Sequence, residues 1–290
     1  MNIASVYGPD RFGLSFELFP PKTEAGDAEL LRNVAELVTF EPSFITCTYG
    51  AGGSTRAKTL DIVQQVAERF GCMVASHLTC VGATIEQLRE YLEEAHRRGV
   101  TNFVALRGDP PQGQSQFQAV EGGLCYADGL VSLIRREFRN AGIAVAGYPE
   151  THREAPSPQN DLENLKRKVD AGADVVITQL FYRNQAFFEF VDRAQAAGIE
   201  VPIVPGILPV TNLAQIKRIA SLCGAKLPPD FMRALSAREG DTQGQFDVGV
   251  EFATQQVQEL LDGGVPGIHF YVLNKSPATA AILRAVSRSV

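Results

Sequence analysis

Glu17 stands in an otherwise apolar run, Phe16-Glu17-Leu18-Phe19, closed by Pro20-Pro21. On a strand with such neighbours its carboxyl is expected to be buried. Burial disfavours the charged form, so a carboxyl there keeps its proton near neutral pH and can act as a general acid. A structural Glu paired with an Arg, or an edge residue facing solvent, would give the same local pattern. Arg107-Gly108-Asp109, followed by Pro110-Pro111, places a guanidinium fork and a carboxylate on either side of a glycine. Such a tripeptide suits a polar ligand that needs both a donor pair and an acceptor, and equally a self-satisfied ion pair. The densest cluster is Tyr148-Pro149-Glu150-Thr151-His152, followed by Asp161, Asn164, Arg167 and Lys168. Asp161, Asn164 and Lys168 fall at i, i+3 and i+7 and share one helix face. That face is either solvated or, with Arg167, a meeting place for a ribose and a pyrophosphate.

Three further positions carry polar groups at the ends of apolar runs. His77 lies in Ser76-His77-Leu78-Thr79 and reads either as a hydrogen-bonded core residue or as a site residue. Thr48-Tyr49-Gly50-Ala51 opens a glycine-rich stretch, either a flexible turn or a place where backbone N–H groups approach a ligand closely. Gln179 ends Val175-Val176-Ile177-Thr178 and needs hydrogen-bond partners, one candidate being a ligand.

These residues must be carried by a scaffold, and the chain alternates short apolar runs with segments of helical period, the pattern of repeated βα units. Eight strand candidates stand out: 14–19, 44–48, 73–78, 102–106, 143–147, 174–180, 203–207 and 267–273. Between them lie helical segments such as DAELLRNVAELV, TIEQLREYLEEAHRRG and DLENLKRKVDAG, opened by a cap-like Thr or Asp, the latter two closed by Gly. Eight units and 290 residues fit one α/β domain, a (β/α)8 TIM barrel, which needs roughly 250 residues. In that fold the carboxyl ends of the strands form the catalytic face, and this rule is what selects Glu17, Thr48, His77, Arg107, Asp109 and Gln179. Two segments break the rhythm, 109–124 and 224–248; the first follows a strand directly and belongs to the catalytic face.

Composition narrows the chemistry. Hydrophobic residues make up 45% and charged residues 21%, as in an ordinary globular protein, and the net charge of -6 without a basic run argues against nucleic acid. No leader-like N-terminus and no long apolar stretch is present, so a cytoplasmic protein with no membrane partner is expected. The five cysteines contain no C-x-x-C pair and are expected to be reduced and buried, and the four scattered histidines suggest no metal site. No G-x-G-x-x-G follows a strand, and neither a Walker sequence nor a G-x-S-x-G elbow occurs.

Taken together, SFELFPPK, TYGAGGSTR, SHLTC, LRGDPP, GYPETH, DLENLKRKVDAGAD, ITQLFY, PIVPGILPV and HFYVLNK resemble the bacterial methylenetetrahydrofolate reductases, in order from about residue 14 to residue 275. The resemblance implies a catalytic (β/α)8 barrel across residues 1–290 without the C-terminal regulatory domain of longer relatives. It also implies bound FAD, NADH or NADPH as co-substrate, and ping-pong reduction of 5,10-methylenetetrahydrofolate to 5-methyltetrahydrofolate in one-carbon metabolism. Glu17 then matches the general acid that opens the folate's five-membered ring, and Asp109 a carboxylate near flavin and pterin that stabilises a cation. Thr48, Tyr49, Ala51, His77, Arg107, Gly108, Asp109, Tyr126, Tyr148, His152, Ala155, Asp161, Asn164, Arg167 and Lys168 match cofactor-binding positions. Gln179 and Gln215 match substrate-contacting glutamines.

Two positions depart from many relatives: Lys275 stands where an Arg is common, so a bidentate grip on a folate carboxylate becomes a point charge, and Ile219 stands where some carry a stacking ring. Small-molecule partners are expected, and a homo-oligomer. Two other readings are a flavin barrel of the proline dehydrogenase kind, separable by folate-dependent oxidation of the reduced flavin, and a silent barrel acting as a binding partner, which would take up no FAD.

Overall fold

The computed structural model describes residues 2–8, 11–49, 56–110 and 117–286. The expected cofactor contact Ala51, with the rest of the glycine-rich stretch 50–55, lies outside these residues, as do 111–116.

The structure is a (β/α)8 barrel. Strands β1 (Gly13–Leu18), β2 (Phe44–Cys47), β3 (Val74–Thr79), β4 (Asn102–Leu106), β5 (Gly142–Gly147) and β6 (Val175–Thr178) pair in sequence order, all parallel. The ring continues through β7 (Ile203–Val204) on β6, and from the other side through β9 (Gly267–Tyr271) on β1 and β8 (Gly206–Ile207) on β9. Only Pro205 separates β7 from β8. The seventh expected strand is thus one strand in two halves: proline lacks an N–H for the ladder, while its carbonyl still accepts from His269 N–H at 3.0 Å. The eight runs read from the sequence match these strands to within two residues at each end.

Helices cover the outside: α1 (Glu24–Leu37), α2 (Arg56–Phe70), α3 (Ile85–Arg97), α4 (Ala127–Glu137), α5 (Pro158–Asp170), α6 (Asn184–Ala196), α7 (Leu213–Cys223), α8 (Pro229–Ser236), α9 (Thr242–Asp262) and α10 (Pro277–Ala285). Thr84 opens α3 with a full capping box to Gln87. The cap of α5 is Ser157, with Pro158 at the first position, and not the Asp that opens DLENLK, because Asp161 is already inside the first turn. The irregular segment 224–248 contains α8 and the start of α9. Gly249 on α9 lets that helix press on the Val210 carbonyl, which a Cβ would meet at 1.5 Å.

Alternation along the strands separates two cores. Leu14, Phe16 and Leu18 of β1, Ile45 of β2 and Ile268 and Phe270 of β9 point outward into the layer between sheet and helices. A smaller cluster fills the lower lumen, with Phe44, Ala75, Val104, Ala144, Val175, Ile177 and Val204 from the strands, and Ile3 and Tyr7 from the N-terminal segment as a plug. Above it, toward the carboxyl ends, the inward positions turn polar: Glu17 follows Ser15 on β1, His77 follows Ala75 on β3, and Tyr271 follows His269 on β9.

Among the described residues no helix is long and apolar enough to cross a membrane, and no group of three or more His, Cys, Asp or Glu side chains could hold a metal ion. Cys47 and Cys80 are buried, Cys72 and Cys223 half-buried, and Cys125 is exposed, contrary to the expectation of uniform burial.

Candidate active site

The polar inward residues open into a cavity of about 880 Å³ at the carboxyl end of the barrel. Its size lies toward the upper end of the ~300–1,000 Å³ of small-molecule sites, large enough for an extended ligand.

Its floor is built by β1, β2, β3 and β9. Glu17 is 22% exposed and lies 3.5 Å from His77 Nε2 through Oε2, and the same nitrogen is 3.3 Å from Thr46 Oγ1. Desolvation raises the Glu17 carboxyl to about 8, so near neutral pH it carries a proton. Desolvation also lowers His77 to about 3, and the ring is neutral. The contact is therefore between two uncharged groups and is not an ion pair, and the Arg partner considered for Glu17 is replaced by a histidine. Beside them His269 Nδ1 bonds Ser15 Oγ at 2.8 Å, and Tyr271 donates to the Thr178 carbonyl at 2.6 Å. His269 and Tyr271 line the cavity but escaped the sequence reading. The period-two alternation of Gly267-Ile268-His269-Phe270-Tyr271 was the available signal, since it puts both rings on the face opposite Ile268 and Phe270.

One wall is made by the ends of β4 and β5 and by α5. Arg107 forms a bidentate pair with Glu154, at 2.5 and 2.9 Å, and lies 5.2 Å from the Phe117 ring centre. Glu154, another residue the sequence reading passed over, fixes the guanidinium fork at the cavity edge. Gly108 adopts φ +87, and a Cβ there would meet Val81 at 2.7 Å and Thr79 at 3.0 Å, so only glycine fits. Asp109 follows it, exposed at the rim.

Tyr148 and His152 meet edge to face, ring centres 4.6 Å apart, across Thr151, whose φ of 73 closes the loop after β5. Asp161 accepts from His152 N–H at 3.0 Å, which ties that loop to the first turn of α5. Lys168, two turns further along, donates to the Ala146 carbonyl and sits 5.9 Å from the Tyr148 ring. Desolvation lowers its ammonium to about 8, the nearby Asp161 and Asp128 carboxylates opposing that shift. Asn164 and Arg167 bond to each other and line the same wall, together with Ala155. Tyr49 spans the floor, its hydroxyl donating to the Thr79 carbonyl at 3.0 Å, and Thr48, Tyr126 and Gln179 complete the lining. Gln179 Oε1 accepts from Leu180 N–H at 2.9 Å, leaving its NH₂ available to a ligand.

The structure therefore brings together the residues selected from Glu17 to Gln179, and of the selected residues that are described only two stay outside the cavity. Gln215 lies on the exposed first turn of α7, and Lys275 is exposed beyond β9; neither lines the cavity, although Ile219, one turn beyond Gln215, does.

Residues 3–287 match the family model described as methylenetetrahydrofolate reductase. The chain belongs to the methylenetetrahydrofolate reductase family. It is 40% identical over 292 residues to methylenetetrahydrofolate reductase (NADH) 1 of Arabidopsis thaliana, covering 97% of this chain and 49% of that one. To the 5,10-methylenetetrahydrofolate reductase of Pectobacterium carotovorum it is 40% identical over 283 residues, covering 97% and 91%. For the Escherichia coli enzyme the figures are 38% over 281 residues, 97% and 92%. The chain spans about half the length of the plant relatives and about nine-tenths of the bacterial ones. Among solved structures, a Clostridium thermocellum protein described as binding two copies of 5-methyl-5,6,7,8-tetrahydrofolic acid superposes with a TM-score of 0.59 at 14% identity, over 93% of each chain. An oxaloacetate acetylhydrolase superposes at 0.52 with 12% identity, over 98% of this chain and 82% of that one. Both share the fold of this reductase-family member, with sequences far apart.

Proposed function

We propose that this protein reduces 5,10-methylenetetrahydrofolate to 5-methyltetrahydrofolate, with FAD held in the barrel cavity and NADH or NADPH as the electron source. The observation that carries the reading is a desolvated carboxyl, Glu17, 3.5 Å from His77 at the floor of a large cavity in a chain of this family. The Clostridium neighbour's two bound methyltetrahydrofolates lend the barrel architecture to such a ligand, and the name of the Arabidopsis relative favours NADH.

The donor set fits FAD. Gly108, whose missing Cβ leaves room for Val81 and Thr79, packs the end of β4 against the end of β3 and so sets Arg107 and Asp109 at the cavity edge. Arg107, Arg167 and Lys168 supply charge for a pyrophosphate, while Asp161 and Asn164 suit ribose hydroxyls. Bound there, FAD would supply a two-electron carrier between nicotinamide and folate. The role of the chain's own residues is to orient both substrates and to move one proton. The C–N bond of the methylene bridge breaks as Glu17 gives its proton to the departing nitrogen, and the carbon, now cationic, accepts a hydride. His77, neutral and 3.5 Å away, brings no positive charge that would strip the proton from Glu17. Asp109 at the rim offers a carboxylate to the cation, and Gln179 an amide to either substrate. Gln215 and Lys275, outside the cavity lining, carry no step in this reading. The whole barrel acts as one catalytic unit in this reading.

The purified protein is expected to be yellow, to release FAD and not FMN on denaturation, and to be bleached anaerobically by NADH or NADPH and restored by methylenetetrahydrofolate. Release of FMN, or a bleached protein that the folate does not restore, overturns the proposal; the latter outcome would favour another flavin barrel.

A further inference from the structure

The seam between β1 and β9 ends in an unusual way. Glu17 pairs with Tyr271 in the ladder, so Phe19 should next face Leu273. Instead Leu273 and Asn274 both enter the left-handed region, at φ 49 and 57, and the main chain leaves the sheet. Neither is glycine, and L residues adopt this conformation in succession only where their surroundings impose it. The Asn274 side chain then takes the place of the departed backbone. Its Oδ1 accepts from Phe19 N–H at 2.9 Å, and its Nδ2 donates to the Phe19 carbonyl at 2.8 Å. A carboxamide carries the same donor and acceptor as a peptide group, so one side chain continues the ladder.

The turn is held on its other side as well. Lys275 N–H bonds the Val272 carbonyl at 2.9 Å, and Ser276 Oγ bonds Asn33 at 2.8 Å and Glu36 at 2.6 Å on α1. The residues that this clamp joins flank the cavity. Glu17 lies two positions before Phe19 and Leu273 one before Asn274, and both line the cavity, whereas Phe19 and Asn274 do not.

We propose that Asn274 is a positioning residue for the folate half-reaction: its carboxamide, bonded twice to the Phe19 backbone, fixes the end of β1 and keeps the Glu17 carboxyl aimed into the cavity. The functional part rests on the reading of Glu17 as the acid. The structural part, immobilisation of the β1 end, stands on the hydrogen bonds alone.

Two variants of the FAD-loaded protein test it. Asn274→Gly keeps the left-handed backbone and loses both bonds, whereas Asn274→Asp keeps an acceptor for Phe19 N–H and loses the donor. Reoxidation of the reduced flavin by methylenetetrahydrofolate should slow by about 10–100-fold in the glycine variant and by less in the aspartate variant, because small misplacements of a reacting group are costly. Flavin content and reduction by NADH should stay within about twofold of wild type, since neither depends on Glu17. Amide hydrogen exchange should accelerate at residues 17–19 in the glycine variant. Wild-type reoxidation in that variant, or equal slowing of both half-reactions, overturns the positioning role. If the wild-type protein itself fails to reoxidise with the folate, the reading of the site falls instead, and hydrogen exchange still decides the clamp: unchanged protection at Phe19 rejects it.

Discussion

The two ends of the barrel lumen are built from the same strands and obey opposite rules. At the amino end Ile3, Phe44, Val104, Ala144, Val175 and Val204 close on one another, and Asn102 is used on both sides of its amide, accepting from Ile3 N–H at 2.9 Å and donating to the Val74 carbonyl at 3.3 Å. At the carboxyl end, two residues further along each strand, Glu17, His77 and His269 are held uncharged by burial around an open cavity. The lower half is organised for packing density, where a lost methylene is felt directly. The upper half keeps titratable groups short of water, which costs stability and sustains reactivity.

The sharpest separation of the two halves comes from Glu17→Gln. The amide keeps size and hydrogen bonding but delivers no proton, so folate-driven reoxidation should fall by ~10²–10⁴-fold while FAD is retained and reduction by NADH persists. Stopped-flow flavin absorbance reads each half-reaction separately. Near wild-type reoxidation would remove Glu17 from the chemistry, and loss of flavin would make it a structural residue.

Ile3→Ala should show the reverse behaviour. Ile3 is fully buried in the lower plug, and truncation should cost ~2–5 kcal/mol in a denaturant titration without changing either half-reaction at 25 °C. A slowed half-reaction with unchanged stability would show that the plug and the site are coupled, and the contrast between the two ends would fail.

The smallest effect concerns pH. A carboxyl raised to about 8 in the folded state holds a proton that the unfolded chain releases near ~4.3, so between those values rising pH favours the unfolded state. His77 and His269, lowered to about 3, act in the opposite sense: their contribution is lost as pH falls from ~6.5 toward 3. Glu17→Gln removes only the first effect. Its melting temperature relative to wild type should therefore climb by a few degrees from pH 5 to pH 8. A difference that is flat with pH would mean that Glu17 titrates normally.

Much of this was legible before the structure. Each parallel strand needs a crossover helix, so eight apolar runs with helical segments between them favour a closed barrel over an open doubly wound sheet, and the strand-end rule then finds Glu17, His77, Arg107, Asp109 and Gln179 without any contact information. The α5 face was legible for the same reason, since helical period places Asp161, Asn164 and Lys168 in line whatever they meet. The break in the seventh strand was less so: Pro205 forbids one ladder bond, but whether the strand resumes beyond it depends on β9 being present to receive Gly206 and Ile207.

Other features exist only in three dimensions. Nothing local distinguishes His269 from an ordinary strand residue until β1 and β9 meet, 254 positions apart, and Ser15 becomes its partner. Arg107 and Glu154 become a bidentate pair only because adjacent strands deliver their loops to one rim. Asn274 reads as a turn residue in Leu273-Asn274-Lys275, and its role as a side-chain substitute for backbone appears only once Phe19 lies beside it. Sequence determines which groups each strand carries and on which face, because side-chain alternation is a local property of the backbone. Charge state and pairing are decided by tertiary structure, because they depend on how much water each group loses and on which distant strand it meets when the ring closes.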